Sequence, residues 1–344
     1  MAADDKERLK TLVEGVVLAQ GNEFIKVLLR RKHLPIGTTK ADFVEHLRAA
    51  IDSGQLTSSD IEQWLHEVEG WGNNQHVYLY RMPRQLAVSA LWTNENAIRR
   101  LVTGAGHGDV WAAETSYAFP EELTLTGIHY FEVAAERRLR FEWHQGVETL
   151  VRVPQKDFDE VEADEQYHYK AYAKRRERTV VRFEVRPGLR LAAAFVQVPT
   201  TSNEHESTLA EMWNVVGAVA AQSQFTEFNL AKAIRKIDED ISPGPMRTNR
   251  VRLVTPGAFV TYGATATTAA YRDVQDANDA RKAVSTIGAF TGGAADVLYT
   301  APAMATKDKD IQVRLDGQNR RIWIRAQLTE TQMWSLLTRV ASYA

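Results

Sequence analysis

Not one of the 344 residues is a cysteine, which excludes disulfides, thiolate zinc and iron–sulfur sites, and a cysteine nucleophile. No run of 18 apolar residues occurs, and the N-terminal stretch Met1 to Lys10 is rich in charge. Neither a membrane span nor a signal peptide is therefore expected, and the expected location is cytoplasmic. Net charge is nearly absent as well: at −2, the whole molecule exerts no attraction on nucleic acid or an anionic membrane, so any such affinity has to come from a local patch. Catalytic signatures are missing. There is no G-x-S-x-G elbow, no G-x-x-x-x-G-K-[ST] phosphate loop and no H-E-x-x-H, and the nine histidines are scattered, so no catalytic residue, metal or cofactor is assigned and the chain is expected not to be an enzyme.

What is present is ample core material. Hydrophobic residues make up 44% and charged residues 25%, the balance of a folded globular chain, and the length exceeds what one hydrophobic core usually supports. Three domains are expected. Residues 1–72 read as helical, with apolar positions at helical spacing (Leu9, Leu12, Val13, Val16; Phe24, Leu28; Phe43, Leu47; Ile61, Trp64, Leu65). Thr39 with Asp42 and Ser59 with Glu62 fit the capping pattern that opens a helix. Residues 75–241 switch to a period of two, with strands expected over 76–82, 127–133, 138–143, 147–153, 179–186 and 189–198, mostly antiparallel, and covering helices at 204–220 and 225–239. In Arg138 to His144, Leu139, Phe141 and Trp143 alternate with Arg138, Arg140, Glu142 and His144, the pattern of a sheet with one wet face. Beyond Ser242-Pro243-Gly244-Pro245, residues 246–344 are expected to form a small α+β unit ending in a hairpin around Asp316-Gly317 and a capped helix over 329–340. Within it, Gly288 to Gly293 reads as a flexible loop. The fold class is α+β.

Charge is concentrated in one place. From Phe24 to Ile51 six basic residues (Lys26, Arg30, Arg31, Lys32, Lys40, Arg48) meet two acids, a net of +4, inside a first 80 residues that sum to −3. Thr38 and Thr39 would present hydroxyls and backbone N–H groups at a helix N-terminus, where an anion is favoured. This segment, with Leu28-Leu29, Leu34-Pro35, Gly37, Lys40-Ala41-Asp42-Phe43-Val44 and Leu47, resembles the SAP motif of chromatin-associated and DNA-processing proteins. Its glycine lies one residue further from the lysine than is usual there, and His46 stands where an arginine is usual. The resemblance implies a helical hairpin that grips a nucleic-acid backbone, DNA rather than RNA, through Lys26, Arg30, Arg31, Lys32, Thr38, Thr39 and Lys40.

A second basic run, from Lys170 to Arg190, carries a net of +6 behind an acidic block of six carboxylates between Asp157 and Glu165. Lys174, Arg175, Arg176 and Arg178, close to Tyr167, Tyr169 and Tyr172, add a second candidate contact for nucleic acid. On the C-terminal hairpin, Arg321, Trp323 and Arg325 share a face, with Arg314 across from them, in an arrangement that more often packs a seam than stacks a base. The expected function is non-catalytic nucleic-acid binding with little sequence preference. The alternative is an assembly subunit that contacts a protein partner or a second copy and no nucleic acid.

Overall fold

The protein is described from a computed structural model, over residues 3–19, 21–68, 70–71, 74–113, 120–133, 136–162, 165–197, 202–240, 244–285, 290–301 and 309–344. Helices α1 (Ala3–Ala19), α2 (Asn22–Arg31), α3 (Lys40–Asp52) and α4 (Ser58–Val68) come first, followed by strand β1 (Gln75–Arg81) and helices α5 (Arg84–Ala87) and α6 (Glu95–Gly104). Then come β2 (Thr124–Val133), β3 (Glu136–Arg152), the short pair β4 (Phe158–Glu162) and β5 (Glu165–Tyr169), β6 (Tyr172–Arg186) and β7 (Leu191–Val196). Helix α7 (Ser202–Val216), β8 (Thr226–Glu227), α8 (Leu230–Glu239), β9 (Met246–Thr255), β10 (Ala258–Gly263) and α9 (Gln275–Ser285) follow. Strands β11 (Thr291–Ala301), β12 (Lys309–Asp316) and β13 (Arg321–Ile324) and helix α10 (Glu330–Tyr343) close the chain. The mixed α+β class is as expected, and no described helix is long and apolar enough to cross a membrane.

Two compact units result, one of Met1–Leu65, Thr115–Thr126 and Trp143–Val180, the other of His66–Glu114, Gly127–Glu142 and Val181–Ala344. In the first, the helices bury Ile25, Leu28 and Leu29 of α2, Phe43, Leu47 and Ile51 of α3, and Ile61, Trp64 and Leu65 of α4. Two helix starts are closed by side chains: Thr39 and Asp42 form a capping box on α3, and Asp60 accepts from the Thr57 backbone N–H at 3.0 Å while Thr57 Oγ1 accepts from Asp60 N–H at 3.3 Å. The cap of α4 therefore lies two residues before the Ser59–Glu62 pair, because the helix already begins at Ser58.

The second unit is built on a sheet whose strand order runs β10-β9-β11-β12-β13-β1-β7-β6-β3-β2, with β8 paired to β1. Every pairing from β10 to β6 is antiparallel. Strand β13 lies against β1, so residues on both sides of 245 share one sheet. That differs from the division at 242–245, because the strands on either side of it need each other's backbone groups. The inner face buries Val77, Leu79, Phe195, Val251, Val297, Val313, Leu315, Ile322 and Ile324 against Leu230, Ile234 and Ile237 of α8 and Met333, Leu336 and Leu337 of α10. Each such side chain contributes about 1.5–3 kcal/mol when fully buried.

Two expectations are corrected here. Residues 292 and 293, read as part of a loop, lie inside β11, and a Cβ on Gly292 would meet the Ala231 carbonyl oxygen and Ile234 Cβ at 2.5 Å. The glycine lets α8 approach the strand closely. The expected wet face of β3 is not wet: Arg140 is 0% and Glu142 2% exposed, joined by Arg182 and Glu184 from β6. Arg140 Nε donates to Glu184 at 2.7 Å, Arg182 Nε to Glu142 at 2.7 Å and Arg186 Nε to Glu184 at 2.6 Å. The guanidiniums of Arg140 and Arg182 lie 4.9 and 4.8 Å from the Trp71 ring centre. Burial pushes the Glu184 carboxyl up, but the guanidiniums of Arg140 and Arg186 overcome it and hold the group below its ordinary range.

Candidate functional site

The helical hairpin expected to grip phosphate is occupied by its own acids. The backbone N–H groups of Thr38 and Thr39 donate to Asp42 Oδ2 at 2.8 and 2.9 Å, and Thr38 Oγ1 lies 3.2 Å from the same oxygen. These bonds hold Asp42 far below the usual carboxylate range. The anion favoured at this helix N-terminus is thus an intramolecular carboxylate. Gly37 is explained by the same contact, since a Cβ there would meet Asp42 Cβ at 2.1 Å. Lys26 pairs with Glu23 at 2.9 Å, and Lys32 pairs with Asp60, whose carboxyl is lowered to about 2 chiefly by that ammonium. His46 keeps Nδ1 buried without a hydrogen-bond partner among the described residues. Arg30 and Arg31 are exposed, Lys40 is half-exposed, and Arg30 has no acidic partner among the described residues.

The central basic run is dispersed. Lys174 is exposed and lies 3.3 Å from Glu148, Arg178 is half-buried, and the side chains of Arg175 and Arg176 lie outside the described residues. Arg182 and Arg186 belong to the buried ion pairs. Two of the eight cations counted along this stretch, Arg182 and Arg186, are therefore removed from solvent.

A different set of cations is brought together on the outer face of the second unit's sheet. Antiparallel registers place Gly263, Arg250, Asp296, Arg314, Trp323 and His76 in one row across six strands. The next row contains Arg252, Asp316, Arg321 and Tyr78. Together with Arg325 these two rows hold five guanidiniums and two carboxylates. Part of the row frames a cavity of about 260 Å³ lined by Arg250, Arg314, Arg325, Asp296, Trp323 and Gln312, and walled by Asn249 and the 264–267 loop with Thr265 and Thr267.

Local backbone geometry builds this cavity. The β9–β11 register slips between Asp296 and Val297, which leaves Asn249 as an extra residue between Arg250 and Thr248, a bulge of the kind that re-aims side chains at functional sites. The freed Asn249 carbonyl accepts from Ala264 N–H at 2.9 Å, and its amide donates to the Ala266 and Ala269 carbonyls at 2.9 and 2.6 Å. Those bonds fix the loop that forms one wall. Arg250 crosses the neighbouring strand where Gly263 gives it room, a Cβ there falling 3.2 Å from its chain. Arg314 Nη1 lies 3.5 Å from Asp296, whereas Arg250 and Arg325 have no carboxylate partner among the described residues. Arg325 lies 3.9 Å over Trp323, whose indole N–H donates to Asn74 at 2.7 Å and whose ring stacks 5.5 Å from His76.

A second cavity, about 400 Å³, opens beside Tyr78 and His205. Its two arginines, Arg320 and Arg321, are balanced by Glu227 and Asp316, and Tyr78 Oη lies 2.8 Å from His205 Nδ1. Sequence reasoning placed Arg314, Trp323 and Arg325 together but missed Arg250, Asn249, Asp296 and the threonine loop. The only sequence signal for them was the charged alternation of Asn249-Arg250-Val251-Arg252. Comparison with family models and with curated proteins returns no match.

Proposed function

We propose that this protein binds nucleic acid without transforming it, through the cationic cavity on the outer sheet face. The observation that carries the reading is the set Arg250, Arg314 and Arg325 around a single carboxylate, Asp296, beside the Trp323 indole. Three guanidiniums supply bidentate phosphate contacts, Thr265, Thr267 and Gln312 supply further hydrogen bonds, and the indole offers an apolar edge to a sugar or base. Such contacts position a backbone and carry little sequence information. The exposed Arg30 and Arg31 of the hairpin are a secondary, purely electrostatic contact.

Titration of single- and double-stranded DNA and RNA oligonucleotides at several salt concentrations tests this. With three cations engaged, log K falls against log salt with a slope of roughly −2 to −3. The charge reversals Arg250→Glu and Arg325→Glu together abolish retention, while Arg30→Glu with Arg31→Glu weakens it only modestly. Absence of retention at low salt, or a slope near zero, refutes the reading.

A further inference from the structure

Several exposed apolar side chains among the described residues lie on β4 and β5, a two-stranded sheet paired from Phe158 with Tyr169 to Glu162 with Glu165. Phe158 is 57%, Val161 72%, Tyr169 42% and Tyr167 39% exposed. An isolated pair of strands is marginal in water, and exposed aromatic side chains in a cluster mark an interaction surface. The register gives the arm two different faces. Phe158, Tyr169 and Tyr167 share one with Glu160 and Glu165, the rings of Phe158 and Tyr169 stacking at 4.7 Å and the Tyr167 hydroxyl donating to Glu165. Between Phe158 and Tyr169 the sequence has five acidic residues and no lysine or arginine.

Aromatic rings beside carboxylates at alternate positions, about 7 Å apart along a strand, present the chemistry of a nucleic-acid strand: flat rings and regularly spaced negative charge. The complementary surface is on the same chain: the outer sheet face with Arg250, Arg314 and Arg325 has guanidiniums to spare and an exposed aromatic, Phe259, at its edge strand. We propose that the β4–β5 arm of one copy docks on this cationic face of a second copy, occupying the cavity and competing there with nucleic acid. The occupant is thus a second copy of this chain, and the competition, though not the association, rests on the nucleic-acid reading above.

Sedimentation equilibrium of the full chain over a concentration series, without nucleic acid, reads the association directly. Wild type is expected to move from monomer toward dimer with concentration and back to monomer as salt is raised. The arm variant Glu160→Arg/Glu165→Arg and the cavity variant Arg250→Glu/Arg325→Glu are each expected to stay monomeric, and an equimolar mixture of the two to recover a heterodimer. All four positions are exposed, and circular dichroism of each variant is the check that it folds. Oligonucleotide titration at a protein concentration where wild type is dimeric then shows several-fold tighter binding by Glu160→Gln/Glu165→Gln. A monomer at every concentration overturns the proposal, as does a dimer that the arm variant or the cavity variant leaves intact. Association that behaves as expected while no oligonucleotide is retained removes the nucleic-acid reading and leaves the docking.

Discussion

His76 and His205 face each other with ring centres 4.6 Å apart, and neither environment welcomes a second positive charge. Burial, then His205, then Arg321 lower the His76 pKa to about 4, and burial followed by Arg321 lowers that of His205. The unfolded chain protonates His76 near 6.5, so between about 4 and 6.5 the native state binds fewer protons than the unfolded one. Stability from this group is present above that window and falls as the pH drops through it. The urea midpoint of wild type should therefore fall more between pH 7 and pH 5 than that of His76→Gln, which cannot charge. Equal losses would show that the ring titrates normally. The His76 ring also stacks on the Trp323 indole, the two centres 5.5 Å apart.

At the level of elements, β3 and β6 show what alternation can and cannot say. The period-two pattern of Leu139, Phe141 and Trp143 was legible, and so were β1, β2, β6, β7, β12 and β13, the Thr39 and Thr329 caps, the 316–317 hairpin turn and the helices before and after the sheet; β4, β5, β9, β10 and β11 were not, and the continuous strand β3 read as two shorter ones. The environment of the other face was not legible. Arg140 and Glu142 read as solvent-facing because a single strand cannot reveal that the adjacent strand supplies the opposite charges, Glu184 and Arg182. Removing one partner leaves a buried ion uncompensated, so Glu184→Ala should destabilise the protein by about 3–5 kcal/mol. Replacing Arg140 and Glu184 together by Met should restore part of that loss, since well-packed apolar groups of similar volume remove the desolvation cost. Urea unfolding of the single and double variants measures both effects. The cavity was hidden for a related reason: its residues come from five stretches of chain, and the bulge at Asn249 is a matter of ladder register rather than residue type.

For the molecule as a whole, the sheet of the second unit decides what can be separated. The Pro/Gly stretch at 242–245 looks like a linker, yet β13 after it pairs with β1 before it, and α8 before it packs on β11 after it. A fragment of residues 246–344 would expose the β13 edge and the face of β11 that α8 covers. It should show no near-ultraviolet dichroism and no cooperative unfolding, whereas an independently folded fragment would mean that the shared sheet is dispensable.

The bulge that frees Asn249 has a kinetic consequence. Because its amide already ties the 264–269 loop to the sheet, the rim of the cavity is ordered before any ligand arrives. An incoming chain meets a preorganised receptor, no loop closure slows its capture, and the association rate is set by diffusion in the field of the guanidiniums.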